Sequence, residues 1–195
     1  MIKENNSQSM KCKTEKYEAI VPVEEYMEKC VDVTTFLEYC KKCDNYERIW
    51  SCPSFDFDSE DYWKKYQTFQ IVGVKIYVPE ELLRQSFEEE ERNALLKSII
   101  LPYKKELDDY LWMKEQQISG TTALSAGSCQ NCPPGECTRL DGKPCRHPGR
   151  MRYSIESLGG NVGLTVTKYL NQELLWIKEG KLPEYFILVG GLLIP

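Results

Sequence analysis

YQTFQIVGVKIYV, residues 66–78, is the clearest strand signal in the sequence. The stretch is rich in β-branched and aromatic residues, and Val72, Val74, Ile76 and Val78 alternate along its second half. Apolar residues at every second position share one face of a strand, because successive side chains point to opposite sides. We therefore predict a strand here and place the other elements around it.

Weaker signals on both sides of this strand predict its neighbours. On the amino-terminal side, YEAIVPV at 17–23 is typical of a short strand, and a helical pattern begins at residues 24–29. On the other side, a helix is expected to start after Pro79 and to continue to about Gln117. Pro102 should kink or divide that helix, because proline lacks the backbone donor and clashes with the preceding turn.

The carboxyl-terminal half adds two strands and a helix. Residues 121–126 are small and β-prone and should deliver Cys129 at the end of a strand. A helix is predicted over 161–176, and YFILVGGLLI at 185–194 is apolar enough for a strand buried on both faces. The order predicts a mixed α/β (α+β) fold, a small mixed sheet with flanking helices and two cysteine-rich metal-binding loops.

Length and composition narrow the class of protein. A chain of 195 residues suits one domain, which we place at 17–195 after a flexible amino terminus at 1–16. With 28% charged residues it has no apolar span of membrane length, and a net charge of -5 disfavours nucleic acid. The first ten residues lack the apolar core of an export signal, so a cytoplasmic protein is expected.

Nine cysteines are the main chemical signal. Reducing compartments keep thiols free, so cysteines in a chain without an export signal favour metal or redox roles over disulfides. Seven fall into two groups, which we name the first cysteine segment (residues 40–57) and the second cysteine segment (residues 129–152). The predicted metal or cofactor ligands are Cys40, Cys43 and Cys52 in the first and Cys129, Cys132, Cys137 and Cys145 in the second.

The second cysteine segment contains CQNCPPGECTRLDGKPCRHP at 129–148. Its Cys-x-x-Cys pair can direct two sulfurs at one centre, and two further thiolates can complete a four-sulfur shell. Proline and glycine residues restrict the loop, which lowers the chain entropy lost when it folds around an ion. This spacing predicts a closed site with four ligands.

The first cysteine segment contains CKKCDNYERIWSCP at 40–53, which supplies three thiols. Cys30 could be a fourth ligand, but such a cysteine is also commonly a small buried hydrophobe. Without a fourth protein ligand, one metal position would be open to water or substrate, as catalytic sites require. Whether the protein is an enzyme is therefore left open by the residues.

The kind of metal has two interpretations, because all-cysteine shells suit both iron–sulfur clusters and zinc. Cysteine followed by proline, at Cys52 and Cys132, is similar to the ending of bacterial ferredoxin runs, although the full ferredoxin spacing is missing. We predict one or two iron–sulfur clusters of the 4Fe-4S type, used for electron transfer or a small redox or activation reaction. The alternative is a zinc-stabilised binding module without turnover.

Basic residues surround the second cysteine segment and suggest partners for it. They could offset the charge of a thiolate cluster, receive a small anionic substrate or a redox protein partner, or simply be solvated. They are Arg139, Lys143, Arg146, Arg150 and Arg152. His147, the only histidine, is expected to support a site from outside the ligand shell or to lie on the surface.

These motifs together resemble a known family. The sequence combines Cys-x-x-Cys and Cys52-Pro53 with AGSC at 126–129, PCRHP at 144–148 and RYSIESLGGNVG at 152–163. It resembles the uncharacterised cysteine-rich predicted metal-binding proteins of bacteria and archaea. The resemblance implies metal ligation by the same seven cysteines and names no reaction.

The sequence departs from the family pattern in two places, and neither departure removes a predicted ligand. Ser54 follows Pro53 where the family usually has a second proline, and residues 133–135 place Pro-Pro-Gly inside the second block. Ser154, Glu156 and the glycines at 159–160 could line a pocket near the metal. Equally, Ser154 and Asn161 could cap the helix that follows.

Overall fold

A four-stranded antiparallel sheet forms the centre of the computed structural model, which describes residues 11–195. Its strands run in the order β1-β2-β4-β3, and helices lie on both faces. The elements are β1 (Thr14–Pro22), α1 (Val23–Cys30), α2 (Val33–Cys40), α3 (Ser59–Trp63), β2 (Thr68–Tyr77), α4 (Glu80–Leu83), α5 (Glu89–Glu115), β3 (Thr122–Leu124), α6 (Val162–Tyr169) and β4 (Tyr185–Ile194), with short 3-10 helices at Thr138–Asp141 and Glu156–Leu158. The predicted α+β class is confirmed, and all three strand pairings are antiparallel.

The strand predicted with most support, β2, lies inside the sheet between β1 and β4. Its alternating residues Val72, Val74 and Ile76 belong to the two apolar clusters that cover one sheet face. Leu107 and Leu111 of α5 pack in the same region. The alternation therefore marks the face that α5 covers.

The opposite face of the sheet carries the larger apolar cluster. Phe69 of β2 packs there between Tyr26 and Trp63, with ring centroids 4.8 and 5.4 Å away. Leu158 completes the contact, because its carbonyl accepts a hydrogen bond from Trp63 Nε1 at 3.0 Å. This cluster links α1 and α3 to the 3-10 helix that follows the second cysteine segment.

Two adjacent glycines in β4 let its neighbours approach closely. A Cβ on Gly191 would lie 2.4 Å from the Gln70 carbonyl oxygen, and one on Gly190 would lie 2.6 Å from that of Leu124. Both distances are shorter than any side chain tolerates. The Gly-Gly pair in the apolar tail thus serves sheet packing.

The helix predicted from Pro79 to about Gln117 is divided, but not at the predicted place. It consists of α4 and α5, and the break lies before Glu89. Phe87 lies in that break, where it packs on an apolar cluster and its amide points to the Gly180 carbonyl at 3.4 Å. Local propensity did not reveal this contact, which is distant in sequence.

Pro102 lies within α5 and does not divide it, so that part of the prediction is wrong. A proline removes one intrahelical hydrogen bond. Ile99 on one side and Leu107 on the other are both buried. Packing against the sheet on both sides therefore holds α5 together across the proline.

The observed ends of two further elements differ from the predicted ones. β1 begins at Thr14, before the predicted boundary at residue 17, and residues 1–10 of the predicted flexible terminus lie outside the described residues. The helix predicted over 161–176 ends at Tyr169, because Asn171 has a positive φ of 51°. Among residues 11–195, no helix combines the length and apolarity needed to cross a membrane.

Candidate metal centre

The two cysteine segments dock against each other in the fold. The first follows α2, which ends at Cys40, and the second leaves the sheet after β3. The hydrogen bonds that join them include Cys129 N–H to Ser51 Oγ (2.9 Å), Asn45 Nδ2 to Ser128 Oγ (3.3 Å) and Trp50 Nε1 to the Lys143 carbonyl (3.2 Å). The predicted ligand groups, far apart in sequence, therefore share one region of the molecule.

Arg139 is the strongest connection between the segments. Its guanidinium donates to the carbonyls of Ile49 (3.0 Å), Cys52 and Ser54 (2.5 Å). It also lies over the Trp50 ring, 5.4 Å from the centroid. A planar group with five donors can satisfy several carbonyls at once, so Arg139 fixes the backbone around Cys52.

The stem of the second cysteine segment is closed before the cysteines begin. Ser125 N–H donates to the Tyr153 carbonyl at 2.8 Å, which joins the chain entering the segment to the chain leaving it. Ala126 N–H donates to Asp108 Oδ1 of α5 at 3.0 Å. Closing the stem lowers the entropy that the intervening loop loses when it becomes ordered.

A bidentate ion pair holds the exit of this segment on α5. Arg152 Nε donates to Glu115 Oε2 at 2.6 Å, and its second nitrogen contacts Oε1. Glu115 Oε2 also accepts the Ala123 N–H at 2.8 Å. One partly buried carboxylate thus joins the end of α5, strand β3 and the end of the second cysteine segment.

The thiols of the first cysteine segment interact electrostatically. The pKa of Cys52 is raised to about 11, mainly by burial and in addition by the neighbouring Cys43 and Cys40 thiolates, while the Ser51 hydroxyl and the charge of Arg139 lower it. Burial also raises the pKa of Cys40, with added contributions from Cys43 and Glu156. Binding a metal here would release protons, because thiolate is the coordinating form.

In the second cysteine segment, Cys129 lies near Cys132 and Cys145. Burial raises the pKa of Cys129, the charges of Cys145 and Cys132 raise it further, and the Asn131 amide lowers it by hydrogen bonding to the sulfur. The His147 amide likewise donates to Cys145 Sγ at 3.4 Å. Amide donors two residues after a cysteine stabilise a thiolate, which favours metal binding.

The structure brings the segments together without forming a coordination shell. Within the described part of the chain, no group of three or more His, Cys, Asp or Glu side chains has the arrangement of a metal site. Cys137 occupies the N-cap position of the 3-10 helix Thr138–Asp141, where its side chain makes no capping hydrogen bond. Thiols with amide hydrogen bonds to their sulfurs are the type of donor that metals bind in proteins. The assignment of the seven cysteines as ligands stays a prediction.

The two remaining cysteines have other surroundings. Cys30 is 2% exposed in the large apolar cluster, where its thiol is hydrogen-bonded to Thr165. Its position is that of a core residue, the second of the two interpretations of its sequence. Cys12 lies beside Tyr103, whose hydroxyl accepts its N–H at 2.6 Å.

The basic residues of the second cysteine segment all have partners on the protein. Arg150 contacts Asp109 and stacks over Trp112 at 4.2 Å, and the other contacts include Arg146 with Glu136 at 3.7 Å and Lys143 with Asp141 at 3.4 Å. Together with the contacts of Arg139 and Arg152, these pairs reduce the charge available to an anion. Arg139 and Arg152 hold the segment in place, whereas the pairs of Lys143 and Arg146 are exposed surface pairs.

Comparison with protein families gives a match over residues 27–194 to a model described as "Predicted metal-binding protein (DUF2284)". The match covers both cysteine segments and most of the fold. The chain belongs to the DUF2284 family. The resemblance stated from the motifs is thereby confirmed, and metal binding is what the family description supports.

Comparison with curated proteins and with solved structures gives no match for this DUF2284 chain. The family description names no metal and no reaction. The choice between iron–sulfur and zinc therefore rests on the chain's own residues.

A cavity beside Cys40 is the feature that sequence reasoning only partly anticipated. It has a volume of about 220 Å³, and of the four residues that one interpretation of the motif placed in a pocket, Glu156 and Gly159 line it, while Ser154 and Gly160 do not. Asn161 also caps α6 by accepting the Leu164 N–H at 3.0 Å, as the other interpretation expected. Both interpretations of the motif therefore apply, the cavity lining to Glu156 and Gly159 and the helix cap to Asn161.

Replacing Arg139 by lysine should loosen the docking of the two segments. A single ammonium cannot span three carbonyls, so we expect a loss of about 1–3 kcal/mol in the free energy of unfolding and weaker metal retention in the first segment, by roughly tenfold. Urea unfolding and metal competition measure the two effects. Arg146→Ala, in the same loop with an exposed side chain, is the control, and equal losses in both variants would contradict this role.

Proposed function

We propose that this protein binds iron–sulfur clusters through its two cysteine segments and uses them in electron transfer or a small redox reaction. The observation that supports this most is the docking of the segments, with Ser51 accepting the Cys129 amide and Arg139 holding the Cys52 carbonyl. Two thiol groups brought side by side suit two clusters close enough to act together. Metal binding itself is the part that the family description supports.

The second segment would hold a closed site. Cys129, Cys132, Cys137 and Cys145 supply four thiols, and the amides of Asn131 and His147 support two of the sulfurs. Hydrogen bonds to sulfur and burial are the means by which proteins set cluster potential. A bound cluster would supply one-electron transfer, and these residues would hold it and set its potential.

The first segment would hold the more open site. Cys40, Cys43 and Cys52 supply three thiols, and Cys43 is exposed while Cys52 is half-buried. With Cys30 in the core, one position of a bound centre would face solvent or a ligand. This arrangement suits the step that exchanges electrons with a small molecule.

A redox protein or a small anionic molecule is the partner that we propose for the second segment. Its surface carries arginine and lysine side chains, and local positive charge guides encounter with acidic partners even on a negative protein. Because these side chains are paired, the attraction should be modest and sensitive to salt.

Anaerobic purification followed by visible absorption and by iron, sulfide and zinc analysis tests the proposal. Broad absorption near about 400 nm, with iron and sulfide in matching amounts, is the expected result for thiolate-bound clusters. Loss of the colour in air would agree with it. Zinc without sulfide in the purified protein would overturn the proposal and favour the zinc-stabilised binding module.

A further inference from the structure

The cavity beside the first cysteine segment contains a carboxylate oxygen without a partner. Glu156 Oε2 is fully buried and has no hydrogen bond, while the rest of the carboxyl is hydrogen-bonded by the Ser154 hydroxyl and by the residue's own amide. Buried polar atoms are nearly always satisfied, and an exception calls for a partner that the chain itself does not provide. Glu156 is one of the residues that line the cavity.

The rest of the lining includes a second acidic residue, apolar residues, three serines and a tyrosine. Asp58 is the second carboxylate, and its Oδ1 caps α3 by accepting two amide hydrogens. Leu37, Phe55 and Phe57 supply much of the apolar wall. Among the described residues that line the cavity, none is lysine, arginine or histidine.

These features select the charge of a ligand. Burial raises the pKa of Glu156, and a cation bound beside it would favour its ionised form and gain from the Asp58 carboxylate and the aromatic faces, whereas the Asp58 carboxylate would repel an anion. An ammonium group that displaces the atoms covering Glu156 Oε2 would donate to it and form a charge-assisted hydrogen bond in a buried place. The apolar wall then suits a short hydrocarbon or aromatic body.

We propose that this cavity binds a small organic amine, with its ammonium group on Glu156 and its apolar body against Phe55 and Phe57. The cavity of about 220 Å³ is smaller than the roughly 300–1,000 Å³ typical of drug-sized ligands, which limits the amine to few atoms. Cys40 in the wall places the bound amine next to the first cysteine segment. Binding of the amine goes beyond the proposed function, because it requires the carboxylate and the cavity and no metal.

Isothermal titration of the purified protein with three probes of one shape tests the charge preference. The probes are benzylamine, benzyl alcohol and benzoate. We expect benzylamine to bind at least about tenfold more tightly than benzyl alcohol, as a charge-assisted bond predicts, and benzoate not to bind. Equal affinity for all three, preferential binding of benzoate, or no binding of benzylamine would each overturn the proposal.

Two substitutions locate the binding. Glu156→Gln keeps the shape of the side chain and should lower benzylamine affinity about tenfold or more while leaving that of benzyl alcohol nearly unchanged. Glu24→Gln, exposed on α1, is the matched control and should change neither. Leu37→Trp, which fills the cavity without altering a carboxylate, should abolish binding of both probes. Unchanged benzylamine affinity in Glu156→Gln or Leu37→Trp would overturn the assignment.

Metal content measured on the same samples separates the two proposals. Amine binding in a protein without iron and sulfide would overturn the cluster proposal alone. A protein with intact clusters that does not bind benzylamine would overturn the cavity proposal alone.

Discussion

Cys132→Ser should remove the metal of the second cysteine segment and leave that of the first. Cys129, Cys132 and Cys145 lie near one another in a loop whose stem is already closed on α5, so loss of one thiolate opens the shell without moving its neighbours. Replacing a residue that merely supports a ligand typically costs 10–100-fold in metal affinity, and loss of a ligand should cost more. We expect about half of the bound metal to be lost from a protein with two equal sites, measured as metal per chain.

A paired set of variants makes this result decisive. Cys52→Ser should give the reciprocal loss from the first segment, and Cys12→Ser, which lies near Tyr103 in another part of the fold, should retain all of the metal. Thermal unfolding of Cys132→Ser should begin at a lower temperature, since metal binding energy contributes to the folding of a loop. Full metal content in Cys132→Ser would contradict the assignment of this ligand.

The sheet could be predicted because its signals are local. The alternating residues 66–78 and the apolar run 185–194 both form strands, as predicted. Neighbouring residues alone determine the period of apolar side chains and indicate which face is buried. The break before Glu89 and the continuity of α5 through Pro102 could not be predicted in this way. Both depend on contacts with residues distant in sequence, such as Gly180 and the sheet itself.

The same difference between local and long-range signals applies to the candidate site. Spacing identified the two cysteine segments and the family, but it did not reveal that Ser51 and Arg139 would join them. The basic residues had three interpretations, as counter-charges for a cluster, as a surface for an anionic partner and as solvated side chains, and spacing did not reveal their contacts with carboxylates and carbonyls. The unpartnered oxygen of Glu156 could not be predicted either, because the motif does not show which atoms lack a hydrogen bond.

Arg152→Met should destabilise the fold more than any other change to a charged residue of the second cysteine segment. The Arg152 and Glu115 side chains are only 17% and 10% exposed, and their contact is bidentate. Removing one partner of a buried ion pair leaves an uncompensated charge, which typically costs about 3–5 kcal/mol. Glu115 also anchors the Ala123 amide of β3, so disorder should extend to the strand before Cys129. Urea unfolding measures the loss.

Two comparisons show whether that loss belongs to the buried pair. Lys105→Met breaks the nearby pair with Asp109, whose lysine is 80% exposed, and should cost no more than about 1 kcal/mol. The double variant Glu115→Gln with Arg152→Met removes both charges and keeps an acceptor for Ala123, so it should be more stable than Arg152→Met alone. If the double variant is instead the less stable of the two, the cost arises from lost packing of the arginine side chain. The stem of the second cysteine segment would then depend on shape, and its metal retention should follow side-chain volume at position 152 whatever the charge at 115.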